Sequence, residues 1–531
     1  MTQEALVKKK NKVISVKDAI KNIKDGDTVA TGGFVGVGFA EELAIGVEER
    51  FLSEKSPSNL TLIYAAGQGD GKGKGVNHFG HDGLVKRVIG GHWGLVPELQ
   101  KMAVENRVEA YNLPQGVISH MFRDIAANKP RTITTVGLET FVDPRNGGGK
   151  VNDRTTEELV ELMEFDGKEY LAYKNFPINV ALIRGTTADP AGNISFEKEA
   201  LKLESFAIAA ATRNSGGIVI VQVERIAEAG SLNARDVVIP GILVDHVVIS
   251  KPENHWQTFA EQYNPSFSSE IKVPTESIPP MEMNERKIIS RRGVFELRPD
   301  QIVNLGIGLS EGISIVANEE NIIDHITLTA EPGVIGGIPA GGLNFGAAIN
   351  TECLISQPSQ FDFYHGGGLD ITFLGMAQAD QFGNLNVSKY NNKLTGAGGF
   401  IDISQNAKTV VYMGTFTAGG LKISIKNKQL VIDQEGKFSK FLNQVEQVTF
   451  SGKYAQKTKQ NVFYITERCV FKLTQAGMEL IEIAPGIDID NDILKHMEFR
   501  PIINDPKVMN ERIFNPEPMN IEAEFLKLSK D

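Results

Sequence analysis

Apolar positions along this chain come mostly in short runs separated by residues with turn chemistry. Residues 14–23 space their apolar side chains for a short amphipathic helix, Asp25-Gly26-Asp27 reads as a turn, and Thr28, Val29, Ala30 and Thr31 read as a strand. That strand runs into the glycine-rich turn at residues 32–38, which leads into a helical pattern over residues 40–49. Further strand-like runs fall at residues 59–65, 86–89, 133–136 and 180–184, with helical patterns or loops between them. Alternation of this kind predicts an α/β fold with largely parallel sheets. In the second half Ile326, Leu328 and Ala330 alternate with Thr327 and Thr329, which is strand period, and Glu331 stands at the end of that run.

The pattern repeats. Arg184-Gly-Thr-Thr-Ala-Asp-Pro-Ala-Gly-Asn-Ile-Ser-Phe196 is echoed by Gly375-Met-Ala-Gln-Ala-Asp-Gln-Phe-Gly-Asn-Leu-Asn-Val387, the shared core being Ala-Asp-x-x-Gly-Asn. The helix, turn, strand and glycine loop that lead to residues 32–38 return at residues 285–308. A period this long marks duplication of a whole domain and not a solenoid. Pro274, Pro279 and Pro280 interrupt both helix and strand patterns, so the expected division is an N-terminal domain at residues 1–278 and a C-terminal domain at residues 279–531. An active site at the interface between the two duplicated α/β domains is the natural expectation.

Composition narrows the partners. A chain of 531 residues exceeds one hydrophobic core, and 41% hydrophobic residues supply material for two. A formal charge of -11 argues against a nucleic-acid or anionic-membrane surface and for a small-molecule partner. Cys353 and Cys469 stand far apart, which excludes a disulfide framework and a thiolate metal site and suggests a reducing, cytoplasmic setting. Residues 1–12 read as a solvated basic arm, with no signal peptide and no membrane span expected.

Glu331 is the candidate for chemistry. Pro332 pushes it towards extended geometry and Gly333 can take backbone angles closed to other residues, so the carboxylate is held at a pre-set turn among small and apolar neighbours. With an ordinary carboxyl pKa of about 4.3 it would be ionised at neutral pH and could attack without an activating base. Glycine loops at residues 306–308 and 395–399 could bring backbone N–H groups to an anion or a developing oxyanion. Two other glycine-rich stretches, residues 67–75 and 146–149, lack the Ser or Thr that a P-loop places after Gly-Lys, and read as flexible loops, so ATP is not implied. Gly308-Leu309-Ser310-Glu311-Gly312 matches the nucleophile elbow of serine hydrolases, but the first-half copy of the turn carries Phe39 where this one carries Ser310. A hydrolase or thioesterase using Ser310 is the alternative, and an acyl-CoA or anion carrier is a third, non-enzymatic one. His365 has no second ligand at helical spacing and reads as structural or pocket-lining, so no metal is expected.

Taken together these motifs resemble the first family of coenzyme A transferases, in its single-chain short-chain acyl-CoA branch, over roughly residues 25–490. Asp25-Gly26, Val29-Ala30-Thr31, Gly32-Gly33-Phe34 and Gly38-Phe39-Ala40 are similar to one family signature, with departures at Thr31 and Ala40. Ala330-Glu331-Pro332-Gly333 corresponds to the Ser-Glu-Asn-Gly that holds the family's catalytic glutamate, and Ala330 and Pro332 point away from 3-oxoacid substrates. Gly396-Ala397-Gly398-Gly399-Phe-Ile-Asp402 and the segment 480–486 match two further motifs. The resemblance implies a ping-pong exchange of CoA between a short-chain acyl-CoA (acetyl, propionyl or butyryl) and a free carboxylate through a glutamyl-CoA thioester on Glu331. It implies CoA as substrate and covalent intermediate with no permanently bound cofactor, CoA contacts from Gly306, Ile307, Gly308, Leu309, Ser310, Gly396, Ala397, Gly398 and Gly399, and a homo-oligomer, the family suggesting a tetramer.

Overall fold

The computed structural model describes residues 11–274 and 279–529. Most of the basic arm, and residues 275–278 at the expected domain boundary, lie outside the described residues. In the first half β1 (Thr28–Thr31), β2 (Leu60–Tyr64), β3 (Val85–Gly90), β4 (Glu109–Asn112), β5 (Val180–Arg184), β6 (Ile218–Val223) and β7 (His246–Ile249) form a seven-stranded sheet in the order β7-β6-β5-β1-β2-β3-β4. Every neighbouring pair is parallel. A parallel sheet covered on both faces needs apolar residues on both, and consecutive residues of each strand supply them alternately. Val29, Leu62, Val88, Leu182 and Ile220 pack with helix α1 (Glu41–Glu54), whereas Ala30, Ile63, Ile89, Ile183 and Val221 pack with α2 (Gln115–Ala126) and α3 (Ser205–Asn214). Each of the valine, leucine and isoleucine side chains among them contributes about 1.5–3 kcal/mol of burial.

The second half repeats the plan. Strands β8 (Ile302–Leu305), β9 (Thr327–Ala330), β10 (Ile371–Gly375), β11 (Thr409–Met413) and β12 (Asn461–Ile465) are parallel in the order β9-β8-β10-β11-β12, with five further strands added at the two sides to make ten, all but the last (Ile502–Val508) pairing antiparallel. That order is β2-β1-β5-β6-β7 over again. The Ala-Asp-x-x-Gly-Asn motif closes the same hairpin in each half: the Asp189 and Asp380 carboxylates accept the backbone N–H of Asn193 and Asn384 at 3.0 Å, and each asparagine amide donates back. Gly192 (φ 85°) and Gly383 (φ 77°) take the left-handed turn between them, where a side chain would be strained. The duplicated letters are therefore those the turn geometry requires. Helices α4 (Gly312–Glu319), α5 (Gln357–His365) and α6 (Phe400–Asn406) cover the second sheet. Phe34, Val35, Leu201 and Leu203 from the first half pack with Ala330, Val334 and Phe345 from the second.

Three expectations change. The run at 133–136 is strand Arg131–Thr134 of a separate three-stranded antiparallel sheet, not of the parallel one. The helix expected over residues 14–23 is only Val16–Ile20, started by the Ser15 side chain capping Asp18 N–H. Residues 67–75 are tied down: the Asp70 carboxylate accepts the N–H groups of Lys72, Gly73 and Lys74, and Gly75 N–H donates to Glu41. The amides that a phosphate would use are already bonded to the chain's own carboxylates. Among the described residues no helix is long and apolar enough to cross a membrane.

Candidate active site between the halves

Strand β9 carries Glu331 to a cavity of about 380 Å³ at the carboxyl ends of β1, β2 and β3 from one half and β8, β9 and β10 from the other. Ligand sites gather at such strand ends because the loops there are free to vary while the sheet fixes their roots. Glu331 is 8% exposed, and no side chain among the described residues bonds its carboxylate. Burial, with Asp402 adding a smaller repulsion, raises its pKa to about 7. The fully ionised carboxylate expected from an ordinary pKa is therefore corrected: near neutrality this group is divided between its two protonation states. Its setting explains why, since the residues around it are mostly apolar or glycine and come from both halves.

The glycine loop before α6 lies against this carboxylate. A Cβ at Gly399 would stand 3.2 Å from Glu331 Oε1. The loop's other amides are engaged: Gly396 N–H donates to Ser388 O, Ala397 N–H to Asn112 Oδ1 and Gly398 N–H to Gly91 O, at 2.9, 3.0 and 2.7 Å. Among the described residues Gly399 is the one position of the four whose N–H has no such partner, and Ile307 N–H on the facing loop is likewise unbonded. Asp402, closing the motif, is wholly buried and accepts Gly116 N–H at the start of α2. The loop is thus fastened to the first half while facing the second.

Of the anion-loop candidates, Gly306, Ile307, Gly396, Ala397, Gly398 and Gly399 line the cavity. Gly308, Leu309 and Ser310 do not: Gly308 N–H donates to Glu311, Leu309 packs on the second-half core, and Ser310 is fully buried with its hydroxyl unpartnered. No histidine reaches Ser310, so the elbow lacks its base. Ser310→Ala is expected to change the rate of CoA release from an acyl thioester by less than about threefold, because it removes only an unpaired buried hydroxyl. A complete loss of that rate would restore the hydrolase reading. His365 bonds Asp402 through Nε2 at 2.9 Å and stacks edge-on against His120, behind the loop and not in the cavity. Among the described residues no cluster of His, Cys, Asp or Glu is arranged to hold a metal ion.

Four polar residues of the wall, His92, Gln115, Tyr390 and Lys393, were missed in the sequence. His92 and Gln115 flank Gly398, whose Cβ would lie 3.7 Å from each, one glycine along from the contact with Glu331. Gly90-Gly91-His92-Trp93-Gly94 follows a strand and is as rich in glycine as the flanks that drew notice to Glu331, so a signal was present. Phe34, Val35, Leu95, Phe345 and Leu374 complete an apolar interior, and the charged residues lining it are Glu331 and, on an exposed hairpin, Lys393.

Comparison with known proteins agrees with the resemblance of the motifs. The sequence profile of the family described as Coenzyme A transferase matches residues 13–250. The caffeate CoA-transferase of Acetobacterium woodii is 46% identical over 95% of this chain and 97% of its own, and the acetate CoA-transferase YdiF of Escherichia coli (strain K12) is 42% identical over 94% and 95%. The crystal structure of acyl-CoA transferase YdiF from E. coli O157:H7 superposes with a TM-score of 0.92 at 41% identity, covering 97% of this chain and 98% of that one, and a thioester complex of that enzyme with CoA fits equally well.

Proposed function

The chain belongs to the first family of coenzyme A transferases, and from that premise we propose that Glu331 is the nucleophile of a ping-pong exchange between a short-chain acyl-CoA and a free carboxylate. The observation that carries this reading is one buried carboxylate, bonded by no side chain among the described residues, facing a cavity walled by both halves and by a glycine loop with a free N–H at Gly399. In the first step a Glu331 oxygen attacks the thioester carbonyl, the C–S bond breaks, and an acyl-glutamyl anhydride and CoA thiolate result. The thiolate then attacks the glutamyl carbonyl, the acid leaves as carboxylate, and a glutamyl-CoA thioester remains. The second acid runs these steps backwards, so thioester energy is conserved. Each attack develops an oxyanion, for which Gly399 N–H and Ile307 N–H are the donors the geometry favours; one such donor is worth about 3 kcal/mol in a site of this kind.

Substrates are proposed to be acetyl-, propionyl- or butyryl-like acyl-CoA thioesters and their acids, bound in the cytoplasm by a homo-oligomer. The division into domains at residues 1–278 and 279–531 is proposed on the repeated strand order. Incubation with acetyl-CoA followed by intact-protein mass measurement tests the reading. A CoA adduct on the Glu331 peptide is expected; an acyl group on Ser310 would favour hydrolysis, and no adduct would leave a carrier.

The raised pKa gives the adduct a pH signature. Glu331 attacks only as carboxylate, so the rate of adduct formation should fall about tenfold per unit below about pH 7 and level off above it. A flat profile between pH 5 and pH 8 would contradict the assignment. Linkage has the opposite sense for stability: the folded state holds a proton that the unfolded chain releases near 4.5, so this contribution is complete below about pH 4.5 and lost as pH rises through about 7.

A further inference from the structure

His92 is set into the cavity wall by backbone contacts that leave its ring little freedom. Trp93 N–H and Gly94 N–H both donate to Thr395 O, at 2.7 and 2.9 Å, clamping the residues after it to the glycine loop of the other half. Glycines sandwich the ring: a Cβ at Gly67 would fall 2.7 Å from Nδ1 and one at Gly94 would fall 3.0 Å from Cε1. Nδ1 is buried with no hydrogen-bond partner. Burial lowers the imidazole pKa to about 4, so the ring is neutral at pH 7 and carries a single N–H. A proton on Nδ1 would be a buried donor with no acceptor, a rarer and costlier arrangement than an idle lone pair. The proton therefore sits on Nε2, the nitrogen that is not sealed off, in a ring that lines the cavity shared with Glu331.

Among the described residues no cation stands in the cavity's interior to meet an entering carboxylate, because Lys393 stands on the exposed hairpin at its edge. Neutral donors must hold it. We propose that His92 Nε2–H is the hydrogen-bond donor that binds the carboxylate of the acceptor acid and orients it towards the glutamyl-CoA thioester, an inference that rests on Glu331 being the CoA-bearing residue. The acid's tail then lies against Phe34, Val35, Leu95 and Phe345. A second carboxylate on that tail would be stranded among apolar groups, so monocarboxylic acids are the class that fits.

The test compares His92→Leu, which removes the donor, with His92→Gln, whose amide reaches about as far as Nε2. Steady-state KM for butyrate, KM for acetyl-CoA and the final occupancy of the CoA adduct by mass are measured for both variants and the parent. His92→Leu should raise KM for butyrate at least about tenfold, the loss of one hydrogen bond to a charged partner, while adduct occupancy and KM for acetyl-CoA, most of whose contacts are to the CoA body, change by less than about threefold. His92→Gln should restore KM for butyrate to within about threefold of the parent. An unchanged KM for butyrate in His92→Leu, or equal damage to all three quantities in both variants, would overturn the proposal. Absence of the adduct in the parent would instead overturn the role of Glu331.

Discussion

Replacement of Glu331 by glutamine is expected to abolish exchange of label between acetate and acetyl-CoA, with a loss on the order of 10⁴-fold or more, since among the described residues no second carboxylate lines the cavity to form the anhydride. Glutamine keeps the volume and removes the charge, so neither a void nor a packing change can account for the loss. The fold should be retained and, above pH 7, slightly stabilised, because a buried carboxylate with no bonded side chain is costly to ionise. Glu331→Ala should lose activity to the same degree. Label exchange, the intact mass after acetyl-CoA, and a melting curve at pH 8 decide the matter. Exchange at the parent rate in either variant would remove Glu331 from the chemistry.

Gly399→Ala is expected to be nearly as damaging for a different reason. Gly399 has φ -80°, which alanine adopts without strain, so the backbone does not resist the change. What resists is the carboxylate, because the new methyl would sit 3.2 Å from Glu331 Oε1 and push it by a few tenths of an ångström from the position proposed for attack on the thioester. Displacement on that scale should lower kcat about 10- to 100-fold while the melting temperature stays near that of the parent. Gly396 provides the contrast. With φ 79° and a Cβ only 2.9 Å from Trp93 N, its alanine variant would damage the fold itself. A Gly399→Ala enzyme with full kcat would show that the loop does not position the nucleophile.

Much of this was legible in the sequence because it is local. Strands β1 and β5 fall on the expected residues, since strand period and glycine punctuation are properties of neighbouring letters. The duplication was legible for the same reason: Asp189 with Asn193, and Asp380 with Asn384, are constrained by one turn. Glu331 stood out through Pro332 and Gly333. What escaped depends on residues far apart in the chain. The rise in its pKa comes from burial contributed by both halves, and no local pattern encodes that. Ser310 satisfied the elbow pattern yet is fully buried, and Glu311 occupies the turn's amide at Gly308. His92 matters only once the loop at residues 395–399 is folded against it.

That folding of one half's loop onto the other half's backbone has a consequence for what kind of object the enzyme is. Gly91, Asn112 and Gly116 of the first half hold Ala397, Gly398 and Asp402 of the second through main-chain and buried polar bonds, and Glu331 stands beside the loop they hold. With Glu331 in its proposed role, neither half alone would hold the reaction centre. On that proposal a change that loosens these cross-half bonds should lower transfer before either sheet unfolds.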